Sequence, residues 1–145
     1  MISNQTIEQI IIDFIKDSPE NSMKMKIKEP AWEEALVGFS AGDDPLFEDF
    51  KEHVGDFHFT PLEIFNLTFP DKPAVAEDLT VISWILPQRE ATRRDNAKED
   101  MYPAERWVMA RFPGEAFNDL LRHHIVNTLK DTLAVFYRYK MGWYK

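Results

Sequence analysis

The run Leu79-Thr80-Val81-Ile82-Ser83-Trp84-Ile85-Leu86 is apolar at nearly every position and is stopped by Pro87. A half-exposed strand alternates apolar and polar residues, whereas a continuous apolar run fits a strand covered on both faces. The run therefore predicts the central strand of an α/β fold, with helices packed on its sheet. The polar stretch that follows, Gln88 to Tyr102, reads as a loop holding Arg89, Arg93, Arg94, Asp95 and Asn96. Ligands of open α/β sheets bind beyond the carboxyl ends of strands, and this loop begins at such an end.

The rest of the chain supplies the covering layers. Ile7, Ile10, Ile11, Phe14 and Ile15 predict one face of a helix over residues 4–17, capped by Asn4 or Thr6. Ser18-Pro19-Glu20-Asn21 ends it. Met23 to Lys28 alternates apolar residues with lysines and predicts an edge strand with its lysines in solvent. Asp44 and Pro45 open a second helix that turns Leu46, Phe47, Phe50 and Val54 inward and stops at Gly55. Thr60-Pro61-Leu62-Glu63 is a capping box for a short helix to about Leu67.

Pro103 starts a further helix, which Phe112-Pro113-Gly114 interrupts or kinks. From Pro113, the repeat Phe117, Leu120, Leu121, His124, Ile125, Thr128, Leu129, Thr132, Leu133 and Phe136 predicts roughly six turns of amphipathic helix laid on the sheet. Tyr137 to Lys145 is aromatic and basic. No linker or repeat divides the chain. The expectation is one compact α/β domain, residues 1–145, with a long C-terminal amphipathic helix.

Composition narrows the function classes. Seventeen Lys and Arg against 25 Asp and Glu give a net charge of −8, which repels a phosphate backbone and argues against general nucleic-acid binding. With no cysteine, disulfides, thiolate zinc sites, a cysteine nucleophile and iron–sulfur clusters ligated by this chain alone are excluded. The N-terminus lacks a signal-peptide pattern, and no apolar stretch approaches the roughly 20 residues of a membrane span. The expected location is the cytoplasm, with no membrane partner; the oligomeric state is not readable.

Few residues are arranged for chemistry. His123 and His124 point about 100° apart on a helix and do not chelate one ion together, and His53 and His58 fall in separate elements, so no metal site is expected. There is no Gly-x-Ser-x-Gly elbow and no phosphate-cradling glycine loop. The one constellation above background is Arg93, Arg94, Asn96, Arg106, Trp107 and Arg111. Guanidinium forks bind phosphate or carboxylate and stack on rings, which suits an anionic or amide-rich planar ligand. The competing reading pairs these arginines with Glu90, Asp95, Glu99, Asp100 and Glu105 at the surface.

Val37-Gly38-Phe39, Asp44-Pro45-Leu46-Phe47, His58-Phe59-Thr60-Pro61, Ile85-Leu86-Pro87, Arg93-Arg94-Asp95-Asn96 and Ala104-Glu105-Arg106-Trp107 form an ordered set. In that order they resemble the N-terminal region of iron–sulfur proteins related to epoxyqueuosine reductase, over about Ala31 to Leu133. The resemblance implies an α/β domain similar to the cobalamin-binding part of that reductase. In the family this is followed by a ferredoxin-like domain with two 4Fe–4S clusters, for which these 145 residues hold no cysteines. Where the reductases carry an acidic residue this chain has Ala116, with Glu115 one position away. Alanine cannot donate a proton, so the reaction on queuosine tRNA is not implied, and the acidic net charge agrees.

The resulting expectation is a cofactor- or ligand-binding domain of a reductase-like iron–sulfur protein. Cobalamin or another planar cofactor, a flavin included, is expected near Arg93, Arg94 and Trp107, with electrons arriving through 4Fe–4S clusters on another domain or a partner. The alternative is a non-catalytic protein-interaction domain without cofactor.

Overall fold

The structure, a computed structural model, describes residues 2–25 and 28–130. Among these it is mixed α/β, with five α-helices, a two-stranded antiparallel sheet and a long final helix. The sheet pairs β1 (Leu36–Ala41) with β2 (Thr80–Ile85). Contacts divide the described residues into two units, 2–37 with 84–130, and 38–83.

The first unit contains α1 (Asn4–Asp17), α4 (Glu90–Asn96) and α5 (Glu105–Lys130), and α5 packs on both other helices. Ile7, Ile11 and Ile15 are buried, and the expected inward face of α1 is present. Its cap is Ser3 rather than Asn4 or Thr6: the Ser3 hydroxyl accepts the Thr6 N–H at 3.1 Å. On α5 the buried stripe is Ala110, Gly114, Phe117, Leu121, Ile125 and Leu129, whereas Leu120 turns outward. Each large apolar side chain so covered contributes about 1.5–3 kcal/mol. Phe14 stacks on Phe117 and on His124, with ring centroids 5.9 and 4.3 Å apart.

Four sequence expectations change in this unit. Of the interruption or kink expected at Phe112-Pro113-Gly114, the interruption does not occur, because α5 runs through Pro113. The cost of an internal proline, about 3 kcal/mol, is offset where Ala110, Gly114 and Phe117 are buried on both sides of it. The polar stretch after β2 is not a loop throughout, since Glu90 to Asn96 form α4; the Glu33 carboxylate accepts the Glu90 N–H at 3.1 Å and so caps it. Met23 to Lys28 contains no strand among its described residues: Met23 is fully buried with Ala31 and Ala110, and Lys24 has φ 54°. Burial of the Met23 side chain wins over the alternating pattern there. The long helix packs on α1 and α4, and Thr132, Leu133, Phe136 and the segment 137–145 lie outside the described residues.

The second unit, 38–83, contains α2 (Leu46–Val54), α3 (Pro61–Thr68) and most of the paired strands. The Gly42 N–H donates to the Leu79 carbonyl at 2.8 Å, extending the strand pairing. Asp44 caps α2 as expected, accepting the Leu46 N–H at 3.0 Å, and Gly55 at φ 135° ends it. The capping box of α3 is complete: Thr60 N–H donates to the Glu63 carboxylate at 2.8 Å, and Glu63 N–H to the Thr60 hydroxyl at 3.3 Å. Two expectations fail. No residue of β2 is fully buried and Ile85 is 63% exposed, so the strand is not covered on both faces. Nor is the apolar face of α2 covered; Leu46, Phe50 and Val54 are 53%, 44% and 53% exposed.

No helix among the described residues is long and apolar enough to cross a membrane.

Candidate functional site

The best-built feature of the first unit begins with Asn21. Its amide oxygen accepts the N–H groups of Ala31 and Trp32 at 3.1 and 3.0 Å, and its amide nitrogen donates to the carbonyls of Ile15 and Trp32 at 3.1 and 3.2 Å. One side chain thus ties the end of α1 to the backbone carrying Trp32. From the other side, Trp32 bridges antiparallel to Gln88, and Glu33 N–H donates to the Pro87 carbonyl at 2.9 Å. The Cζ2 edge of the Trp32 ring abuts α5 where Gly114 offers no side chain, since a β-carbon there would come within 2.2 Å of the ring.

Trp32 forms one wall of a cleft of about 180 Å³. The opposite wall is one face of α5: Trp107, Arg111, Glu115 and Asn118 follow at the spacing of successive turns. Leu86 and Gln88, just past β2, close the end. The Trp84 indole N–H donates to the Asn118 amide oxygen at 3.0 Å, which fixes that amide and leaves its nitrogen as donor. The cleft therefore has two indole surfaces, a guanidinium and a carboxylate at its rim, and two amides. Its lining holds no histidine, hydroxyl or second carboxylate, so it has no nucleophile and no acid–base pair.

Two polar atoms of lining residues, Trp32 Nε1 and Gln88 Oε1, are buried with no hydrogen-bond partner among the described residues. Leaving such a donor and acceptor unpaired costs about 1–3 kcal/mol each.

The six arginine-loop residues are not gathered at one point. Trp107 and Arg111 share the cleft. Arg106 lies on the other flank of the helix start, between Glu29 at 2.6 Å and Asp95 at 3.0 Å, beside an open concavity that also holds Lys98, Glu99 and Glu105. Asn96 holds the backbone: its amide oxygen accepts the Ala104 N–H at 3.1 Å and fixes the entry to α5. Arg93 pairs with Glu90 at 2.9 Å on the surface of α4, and Arg94 is exposed beside it. Arg93 and Arg106 thus follow the ion-pair reading, with Glu90 and Asp95 as two of the expected partners.

Sequence reasoning did not select Trp32, Leu86, Gln88, Gly114, Glu115 or Asn118 for the site. The Trp107-Arg111-Glu115-Asn118 spacing was available, but it is visible as one face only if the helix is continuous through Pro113.

Among the described residues, no cluster of three or more histidine, cysteine or acidic side chains is placed to hold a metal. Fold and cleft together define a mixed α/β protein with an indole-walled hollow past the end of a strand. No protein-family model matches the chain, and no curated protein or solved structure is significantly similar to it.

Proposed function

We propose that this chain is a ligand-binding domain of a reductase-like protein whose 4Fe–4S clusters lie on another domain or a partner, and that the cleft between Trp32 and Trp107 takes the ligand. The observation that carries this reading is the convergence of two indoles, Arg111 and the Asn118 amide on one hollow past the end of β2. The ordered motifs that resemble those of the reductase-related proteins support it. Leu86 and Trp107 come from two of those motifs, and Asp95, Asn96 and Arg106 fix the helix start that presents Trp107.

Size selects among the cofactors. The hollow is below the roughly 300–1,000 Å³ of sites that enclose drug-sized ligands. It does not enclose a corrin ring, so the cobalamin implied by the resemblance does not fit the site as formed. One flat ring with an anionic tail suits it better: the ring against the indoles, the anion at Arg111, and a polar ring edge toward the unpaired Trp32 and Gln88 atoms. A flavin mononucleotide has this chemistry, with only part of its three-ring system held in a hollow of about 180 Å³. The chain's own residues bind and orient; electron transfer belongs to the ligand and the clusters.

The test is a titration of the chain with flavin mononucleotide and, separately, hydroxocobalamin, followed by tryptophan fluorescence and the visible spectrum. Saturable quenching by the flavin is expected, weakened about three- to tenfold in Trp107→Ala from lost stacking and about tenfold or more in Arg111→Ala from a lost charged hydrogen bond. Absence of saturation, or equal affinity in both variants, overturns the proposal. A spectral shift with hydroxocobalamin but not with flavin overturns the choice of ligand.

A second reading, a protein-interaction domain without cofactor, is supported by the uncovered apolar side chains of residues 38–83.

A further inference from the structure

The 38–83 unit contains no buried apolar side chain among its described residues, whereas the first unit buries twelve. Its apolar groups are half-buried at best, and several are exposed. Leu46, Phe50 and Val54 recur at i, i+4 and i+8 and make a stripe along α2, and Phe57 and Leu67 are also exposed. A contiguous stripe of this kind marks an interaction surface more often than isolated exposed residues do.

Charge says what such a surface accepts. Residues 38–83 hold ten Asp and Glu against two Lys, a net −8, and this equals the charge of the whole chain because the remaining residues sum to zero. Glu48, Asp49 and Glu52 lie on α2 itself, and Asp56 follows it. Both lysines are engaged: Lys51 pairs with Glu63, and Lys72 lies 5.2 Å from the centre of the Phe69 ring. An acidic rim around an apolar stripe complements a basic amphipathic helix. A second copy is disfavoured, because a symmetric dimer through this face opposes two units of −8.

We infer that α2 and its surroundings are a docking surface for a basic helical segment of another polypeptide, one that carries apolar side chains along one face. The inference uses no residue of the cleft and stands or falls separately from flavin binding.

The experiment uses the full chain and a fluorescein-labelled helical peptide of leucines at i, i+4 spacing with lysines elsewhere, alongside the same peptide with glutamates for lysines. Anisotropy is expected to show saturable binding of the lysine peptide, at least about tenfold weaker for the glutamate peptide, equivalent to ~1.4 kcal/mol. Phe50→Ser and the double variant Asp49→Lys/Glu52→Lys should each weaken binding about tenfold, a step of ~1.4 kcal/mol, and Trp107→Ala should not. Circular dichroism of the two α2 variants checks that each is folded, and the charge variant alters exposed positions only. Equal binding of both peptides, no binding of the lysine peptide, or folded α2 variants that bind normally would each overturn the inference. Sedimentation that shows a dimer lost in Phe50→Ser would overturn it in favour of a second copy.

Discussion

A β-carbon at position 114 would sit 2.2 Å from the Trp32 ring, closer than any relaxed contact, so Gly114→Ala must displace the indole. The backbone conformation there is helical and alanine favours it; the penalty is steric, about 1–3 kcal/mol for overpacking. We predict a lower melting temperature together with loss of flavin quenching, measured on the same sample. Asn21 makes four hydrogen bonds to backbone groups. Asn21→Ala leaves part-buried donors and acceptors unpaired and should destabilise by about 2–3 kcal/mol in urea unfolding. Neither residue announces itself in sequence. Asn21 looks like a loop former after Pro19 and Gly114 like a helix breaker after Pro113, because a single sequence shows backbone preference and not the distant ring or carbonyl that the residue meets.

Helices were legible wherever a face and a cap agreed. The isoleucine stripe of α1, the capping box of α3 and the Phe117-to-Leu129 stripe of α5 were all readable. Local pattern alone points to a strand from Met23 and an interruption at Pro113, and the burial of Met23 and of Ala110, Gly114 and Phe117 overrides it among the described residues. That break also hid the cleft, whose α5 wall spans both sides of the proline. Two predictions belong to this scale. Asn96→Ala removes the acceptor for the Ala104 N–H at the entry to α5 and should cost about 0.5–2 kcal/mol, as the loss of a capping side chain does.

The second concerns α3. The Lys51 hydrogen bond, helped by the Thr60 N–H, holds the Glu63 carboxyl below its ordinary 4.5, and the Lys51 ammonium is correspondingly raised. A carboxyl depressed on folding stabilises above its unfolded value and loses that contribution as pH falls through the folded one. Unfolding midpoints should therefore decline from about pH 5 downward, and Glu63→Gln should flatten that acid limb. The pair faces solvent, so the change is small.

At the scale of the molecule, the two units differ in kind. One has a buried core of helices and builds the cleft; the other carries a net −8 and fully buries none of its apolar side chains among the described residues. The net charge was legible from composition, but the concentration of acidic residues in 38–83 became meaningful only once those residues formed a unit of their own. Likewise the apolar run through β2 predicted a strand covered on both faces, and Val81, Ile82 and Trp84 are only half-buried while Ile85 is exposed. The central claim is that Trp32 and Trp107, 75 positions apart, form the two walls of a single binding hollow. It is tested most directly by fluorine NMR of the chain labelled with 5-fluorotryptophan, resonances assigned by substitution, during a flavin mononucleotide titration. The account predicts that the Trp32 and Trp107 signals move together with one dissociation constant. Movement of Trp107 while Trp32 stays fixed, or of neither, would contradict it.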